Sequence, residues 1–199
     1  MKTFKQFLSE EKKFKELAKV LKDECGPWFA AAGDAFAYRG IKKESVESAQ
    51  FYEVDGVNFG VKKVRQDRKP RDMKGQLHSY IDHWFDDKFG LRPRSKGMFC
   101  YGESGKDETQ HYGLQYVVVP IGDFKFVWSD EVKDLQIVLD DMVFDRDYKD
   151  QLEEFLESSE YTTRNLKTAL SSESEIMIIC DSYYFFSTDD RDKIKKAMS

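Results

Sequence analysis

The sequence predicts an α+β domain built on a mixed β-sheet. Apolar residues recur every three to four positions near the N-terminus, in residues 77–85 and in residues 135–156, which is typical of amphipathic helices. Short aromatic and aliphatic runs closed by glycine or proline lie between these segments and indicate strands. Helices and strands therefore follow each other in an irregular order, which favours helices packed on a mixed sheet.

The length and composition predict one folded domain. The chain has 199 residues, among them 16 Phe and 10 Tyr, which is enough to build an apolar core. Its net charge of −5 argues against a protein that coats nucleic acid, which would need a basic surface. No apolar run reaches the roughly 18 residues that a membrane-spanning helix requires. We therefore expect no membrane partner and disfavour a nucleic-acid partner, and the sequence indicates no oligomeric state.

The cysteines and histidines indicate neither a disulfide framework nor a metal site. Cys25, Cys100 and Cys180 are odd in number and widely spaced, which predicts reduced thiols. His78 and His83 lie five residues apart, about 140° around a helix, so they do not share a face. No spacing typical of zinc ligands is present in the sequence, and we expect no metal.

The first half of the chain is predicted to form a helix, a strand and a second helix. The N-terminal helix carries lysines between its apolar positions and is expected to end at Gly26-Pro27. The run FAYRGIKKE follows as a strand whose end carries Arg39. A second helix places the apolar residues of 77–85 on one face and stops at Gly90.

A basic run lies between the strand and the second helix. Seven Lys or Arg residues fall between Lys62 and Lys74. We interpret the run as a solvated surface because Asp67 and Asp72 dilute its charge. The alternative is a contact for pyrophosphate, nucleic acid or an acidic partner surface.

The second half of the chain is predicted to contain most of the strands. RSKGMFCYGES indicates a strand and a turn, KDETQHYG a short helix, and LQYVVVPIGDFKFVWS two strands broken at residues 120–122. The acidic block of residues 130–160 is predicted to be mostly helical. The chain is expected to close with a strand that begins at Glu175, a turn and another strand.

Glu173 and Glu175 stand one residue apart at the start of the last apolar strand. Residues i and i+2 of an extended chain point the same way, so both carboxylates are expected to project toward one place. Like charges side by side cost free energy unless a cation or a reaction makes use of them. The alternative is a solvated strand start, just as Arg39 taken alone is a surface or salt-bridged arginine.

Two motifs occur in the order of a known enzyme family. The tripeptide Tyr-Arg-Gly at 38–40 matches an aromatic-Arg-Gly motif on a first strand, and ESEIMIICDSYYFF at 173–186 matches a Glu-x-Glu turn followed by an aliphatic strand, a turn and an aromatic strand. In this layout the chain resembles the mono-ADP-ribosyltransferases, above all the small phage-encoded enzymes that modify host proteins. The resemblance implies an ADP-ribosyltransferase-like fold with a mixed, split β-sheet, NAD as substrate and no metal.

The resemblance also implies roles for four residues. Arg39 would hold the NAD pyrophosphate or a ribose hydroxyl, and Gly40 would let the ligand approach the backbone. Glu175 would accept a hydrogen bond from a ribose hydroxyl and stabilise an oxocarbenium-like transition state. Glu173 would orient the acceptor, and an arginine of a host protein is the natural partner for its carboxylate.

The middle of the chain departs from the family pattern. Where relatives have Ser-x-Ser opening into a helix, this chain offers Cys100 within Cys-Tyr-Gly, or the later Ser104, and Ser95 lies just upstream. Tyr112 takes the place of an aromatic residue that lines the nicotinamide pocket in relatives. Tyr112, Cys100 and Ser95 are therefore expected to border NAD. The alternatives are that Tyr112 packs in the core and that Cys100 is a small buried filler.

The first ten residues, MKTFKQFLSE, resemble the capsid-targeting leaders of internal head proteins of large tailed phages. Such leaders are cut after a hydrophobic-x-Glu site, and Leu8-Ser9-Glu10 fits it. Residues 1–10 would then be a leader and residues 11–199 the single domain, located in the phage virion interior, the host cytoplasm or both. The alternative is an amphipathic surface helix that runs from the N-terminus without a boundary.

Three functions follow from these observations and resemblances. The first is an NAD-dependent mono-ADP-ribosyltransferase that modifies a host protein, on arginine, during phage infection. The second is a catalytically inactive relative that acts as an internal head protein or inhibits a host defence factor. The third is ADP-ribosylation of nucleic acid, with residues 62–74 as the docking strip.

Overall fold

The computed structural model describes residues 14–69, 75–142 and 148–199 as helices around an eight-stranded sheet, which confirms the α+β class. The helices are α1 (Lys15–Ala32), α2 (Lys43–Glu47), α3 (Gly75–Phe89), α4 (Pro93–Lys96), α5 (Leu135–Asp141), α6 (Tyr148–Ser158), α7 (Leu166–Ala169) and α8 (Arg191–Met198), with 3₁₀ helices at Lys106–Tyr112 and Thr188–Asp190. The strands are β1 (Ala37–Ile41), β2 (Gln50–Val54), β3 (Val57–Lys63), β4 (Met98–Tyr101), β5 (Leu114–Ile121), β6 (Lys125–Trp128), β7 (Glu175–Ile179) and β8 (Ser182–Ser187).

The sheet differs from the prediction in its strand directions. The strand order is β2-β3-β8-β5-β1-β4-β7-β6, and each neighbouring pair in the described ranges is antiparallel. The predicted mixed sheet is therefore wrong. The order of elements along the chain does not fix strand direction here, because most neighbours in the sheet are not consecutive in sequence.

The sheet is split between β1 and β4. These strands share one paired position, Tyr38 opposite Tyr101, whereas β1 and β5 share five. Strands β7 and β8 lie on different sides of this junction, although only residues 180–181 separate them. In a flat sheet they would stand four strand spacings apart, about 19 Å, which is more than the roughly 10 Å that three extended residues span. The three-stranded part, β4-β7-β6, must therefore fold back toward the five-stranded part.

Two apolar clusters hold these layers together. In the larger one, α1, α7 and α8 cover strands from both parts of the sheet, and Trp28 and Phe186 are completely buried there. In the smaller one, α3, α5 and α6 cover Val127 of β6 and Met177 of β7. Burial of aromatic and aliphatic side chains on this scale is the main force that fixes the fold.

Helix α1 continues through Gly26-Pro27 to Ala32, so the predicted end of this helix is wrong. The helix bends at Cys25 (φ −118°, ψ 15°), and the bend accommodates the proline. The helix continues because Trp28 is completely buried and extends the apolar stripe of the first turns. That stripe consists of Leu17, Leu21, Cys25, Trp28 and Ala32.

The hairpin β2–β3 is an element that the sequence analysis missed. Its turn is Asp55-Gly56, and both residues have positive φ values of 54° and 72°, as a type I′ hairpin turn requires. The Asp55 carboxylate also caps α1, because its Oδ2 accepts hydrogen bonds from the backbone N–H groups of Glu16 and Leu17 at 3.0 and 2.9 Å. The hairpin thus fixes where the long helix begins.

The remaining predicted elements are confirmed. Helix α3 contains residues 77–85 and ends before Gly90, whose φ of 66° terminates it. The short helix after β4 is a 3₁₀ helix, the acidic block contributes α5 and α6, and β7 begins at Glu175. The leader predicted at residues 1–10 lies outside the described residues.

Candidate functional site

Glu175 is a buried carboxyl at the start of β7. The residue is 8% exposed and lies opposite Tyr101 of β4. Its backbone N–H donates to the Lys133 carbonyl at 2.7 Å, but its Oε2 has no hydrogen-bond partner in the described part of the chain. Burial raises the pKa of Glu175 to about 7, and Asp134 adds to the rise. A carboxyl in this condition is a candidate for a functional group rather than a structural one.

Three arginines from separate parts of the chain surround Phe99 of β4. Arg39 of β1 donates from Nη1 to the Phe99 carbonyl at 2.8 Å, across the split in the sheet. The guanidinium carbon of Arg68 lies 4.1 Å from the centroid of the Phe99 ring, and that of Arg94 lies 5.0 Å from it. All three arginines lower the pKa of Glu175 against the larger effect of burial. The first strand and the last acidic motif therefore meet in one electrostatic environment.

The positive charge of this cluster has little compensation. Among the described residues, none of the three arginines forms an ion pair with a carboxylate. Arg94 is 5% exposed, and its Nε finds no hydrogen-bond partner within residues 14–69, 75–142 and 148–199. Burial, together with repulsion by Arg39 and Arg94, lowers the pKa of Arg68 to about 10. The cluster is therefore suited to an anionic ligand.

Glu173 has a different environment from Glu175. It lies in the bend before β7 rather than in the strand, so the alternation of an extended chain does not align the two side chains. Its side chain is 59% exposed and forms an ion pair with Lys133. The hydrogen bond from Lys133 lowers the pKa of Glu173. The two acids therefore carry different charges near neutral pH: Glu173 is ionised and Glu175 is partly protonated.

Tyr112 stands at the surface and is anchored to the site by its hydroxyl. Its hydroxyl donates to Asp134 Oδ2 at 3.0 Å, and Tyr101 donates to the same oxygen at 2.7 Å. The other oxygen of Asp134 caps α5. Tyr112 is 51% exposed, which argues against the alternative that it packs in the core. Its ring is available to a ligand.

Gly40 and Cys100 serve the packing around the site. A Cβ on Gly40 would lie 2.1 Å from the Thr109 carbonyl oxygen and 2.9 Å from Tyr112 Cβ, so glycine allows the 3₁₀ helix to approach β1. Cys100 is completely buried, and burial raises its thiol pKa to about 12. In this structure the space over Gly40 is filled by protein, and Cys100 has no surface to offer a ligand.

Ser95 lies beside the arginine cluster and anchors the basic segment. Its hydroxyl donates to Asp82 Oδ2, and its carbonyl accepts the Arg68 backbone N–H at 3.0 Å. Ser95 and Arg68 also line a cleft of about 600 Å³ between the basic segment and α3, a volume within the range of small-molecule sites. The lining residues are Asp67, Arg68, Lys69, Gly75, His78, Ser79, Asp82, His83, Arg92 and Ser95.

Arg68 and Arg94 are candidate site residues that the sequence motifs do not indicate. Arg68 belongs to the basic run, for which the sequence favours a solvated surface, yet it turns inward onto the Phe99 ring. Arg94 stands in α4, four residues before β4 begins. The available signal was Arg-x-Arg next to a strand at 92–94, a pattern that also occurs on ordinary surfaces.

Comparisons with other proteins and a search for metal sites add no assignment. Among the described residues, no group of three or more His, Cys, Asp or Glu side chains could hold a metal ion. Within the same residues, no helix is long and apolar enough to cross a membrane. Searches of protein-family models, curated proteins and solved structures find no significant match.

Proposed function

We propose that the chain is an NAD-dependent mono-ADP-ribosyltransferase of the phage-encoded type, which modifies a host protein on arginine. One observation carries the proposal: Arg39 of the first motif binds the Phe99 carbonyl of β4, and Glu175 of the last motif pairs with Tyr101 of the same strand. The two motifs are far apart in sequence, so the resemblance requires the fold to bring them together. The proposal places the protein in the virion interior, the host cytoplasm or both.

The geometry suggests how the chain's own residues would act. The arginine cluster would bind the pyrophosphate of NAD, and Tyr112 would border the nicotinamide. The ribose–nicotinamide bond breaks, and its electron pair leaves with the nicotinamide, which becomes neutral. Ionised Glu175 would accept a ribose hydroxyl hydrogen bond and stabilise the positive charge on the sugar. An acceptor guanidinium held by Glu173 would then attack the sugar carbon and release a proton.

The experiment is incubation of the protein with labelled NAD and host lysate. We expect labelled protein bands with the wild type, and their loss in Glu175→Gln with the fold retained. Glu154→Gln is the matched control, because Glu154 is an exposed residue of α6 and is not one of the candidate site residues. Transfer should rise with pH through about 7, since the ionised form of Glu175 is the active one. Absence of label from all fractions would refute the proposal.

A second candidate is a non-enzymatic binding protein on the same fold, such as an internal head protein or an inhibitor of a host defence factor. It is favoured by the burial of Glu175, whose 8% exposure leaves little surface for a ribose. No label, no stabilisation by NAD and a stable partner captured from lysate would support this function. Label confined to nucleic acid would instead support ADP-ribosylation of nucleic acid.

A further inference from the structure

Arg68 and Arg94 both lie against one aromatic ring. Their guanidinium carbons lie 4.1 and 5.0 Å from the same Phe99 centroid, so the two groups cannot be more than about 9 Å apart. A single diphosphate, with one phosphoryl group for each guanidinium, can bridge that separation. Planar guanidinium forks are the side chains best matched to phosphate oxygens.

Two donors of this pair lack a partner among the described residues. Arg94 Nε and Arg68 Nη1 are buried there without a hydrogen bond, although buried polar groups are nearly always paired in folded proteins. Like charges brought this close in a poorly solvated place repel each other; burial first, and then repulsion by Arg39 and Arg94, lowers the pKa of Arg68. An anion would both supply the missing acceptors and compensate the charge.

Among the described residues, Arg39 differs from Arg68 and Arg94 because its guanidinium already donates a hydrogen bond to the protein backbone. Its Nη1 donates to the Phe99 carbonyl, which links β1 to β4 where the sheet is split. Arg68, by contrast, also lines the cleft of about 600 Å³, through which a ligand can reach its guanidinium. Within the cluster, and counting the described residues only, the arginines with unpaired buried donors are Arg68 and Arg94.

We propose that Arg68 and Arg94 form a clamp for a diphosphate, while Arg39 holds the Phe99 backbone between them. As the site of the NAD pyrophosphate, this assignment rests on the proposed function; as a diphosphate site, it rests on the geometry alone. Nucleic-acid phosphates are the other source of the same chemistry. They are disfavoured because the two arginines converge on one ring instead of forming a row along a groove.

The experiment is calorimetric titration of the full chain with inorganic pyrophosphate, with ADP and with a short single-stranded oligonucleotide at low ionic strength. The variants are Arg68→Gln and Arg94→Gln, and the matched control is Arg65→Gln. Arg65 is exposed and lies three residues before Arg68 in the same basic segment. Thermal unfolding of each variant verifies that it is folded. If Arg94→Gln does not fold, Arg68→Gln alone still tests the clamp.

We expect Arg68→Gln and Arg94→Gln each to weaken pyrophosphate and ADP binding about tenfold or more, because each variant loses a charge-assisted hydrogen bond to the ligand. Arg65→Gln should change the affinity by less than about twofold, since its exposed charge is screened. Three results would overturn the clamp: no pyrophosphate binding by the wild type, unchanged binding in Arg68→Gln, or an equal loss in Arg65→Gln. Tighter binding of the oligonucleotide through the same two arginines would also overturn it.

The clamp and the proposed function can fail separately. If the protein binds pyrophosphate through Arg68 and Arg94 but transfers no ADP-ribose to any fraction, the function is refuted and the clamp stands. If it transfers ADP-ribose while Arg68→Gln and Arg94→Gln leave both pyrophosphate affinity and the KM for NAD unchanged, the clamp is refuted and the function stands.

Discussion

The buried carboxyl of Glu175 leads to a stability prediction that concerns this one group. Burial raises its pKa from 4.5 to about 7, so the folded protein retains a proton that the unfolded chain has already lost. The folded state therefore gains a stabilising contribution that is complete below pH 4.5 and is lost as the pH rises through 7. A pKa shift of this size corresponds to about 3 kcal/mol in the free energy of unfolding. Glu175→Gln resembles the protonated acid and cannot ionise, so the variant should not show this loss.

The assay is urea and thermal unfolding of the wild type and Glu175→Gln at pH 4.5 and pH 8.5. At pH 4.5 the two proteins should differ by no more than about 0.5 kcal/mol, because the substituted groups are nearly isosteric and both neutral. At pH 8.5 the variant should be more stable by about 3 kcal/mol, or about 10 °C in Tm for a chain of this size. The comparison removes the contributions of all other titrating groups, since both proteins share them.

Glu173→Gln is the control with the opposite sign. Lys133 lowers the pKa of Glu173, so its ion pair contributes stability that is present above the unfolded pKa and is lost as the pH falls through the folded one. That variant should be less stable than the wild type at pH 8.5, and the difference should shrink in acid. If Glu175→Gln were no more stable than the wild type at pH 8.5, the attraction of the three arginines would outweigh burial and the reasoning would be refuted.

Three further predictions concern the scaffold. Asp55→Ala should lower the free energy of unfolding by about 1–2 kcal/mol, because it removes the cap of α1, and Asp55→Asn should recover most of it in urea unfolding. Gly60→Ala should cost about 1–3 kcal/mol, since its Cβ would lie 2.1 Å from Cζ of the buried Phe185; an unchanged urea midpoint would contradict this packing. The three buried cysteines, whose pKa values burial raises to about 12, should react with a thiol reagent in urea but only slowly in the native protein.

Local patterns predicted most elements but not all their ends. The periodic apolar stripe of α3 revealed the face that this helix buries, and the continuous apolar run of β7 revealed a strand that is buried on both faces. The Gly26-Pro27 signal was overridden by the burial of Trp28, which is a tertiary effect. The hairpin β2–β3 had a local signal in Asp55-Gly56, but β2 is almost entirely exposed and lacks the alternation of a half-buried strand.

Local patterns alone could not define the candidate site. A resemblance in two motifs pointed to Arg39 and Glu175, and in the structure both contact β4, Arg39 at the Phe99 carbonyl and Glu175 by pairing with Tyr101. No motif points to Arg68 and Arg94. They come together only because the basic segment and α4, which are distant in sequence, fold against the same Phe99 ring. The predicted alignment of Glu173 with Glu175 assumed an extended chain, whereas the strand begins only at Glu175.

Lys133 explains how two glutamates so close in sequence coexist in different states. Its carbonyl fixes the Glu175 backbone N–H, and its ammonium pairs with the Glu173 carboxylate. An exposed pair of this kind contributes little to stability, so an incoming guanidinium could replace the lysine at little cost and gain a bidentate contact that lysine cannot make. Glu175 forms no such ion pair with any described residue and depends on its buried surroundings for its proton. The Glu-x-Glu motif therefore provides an ionised, replaceable surface contact in Glu173 and a protected acid in Glu175.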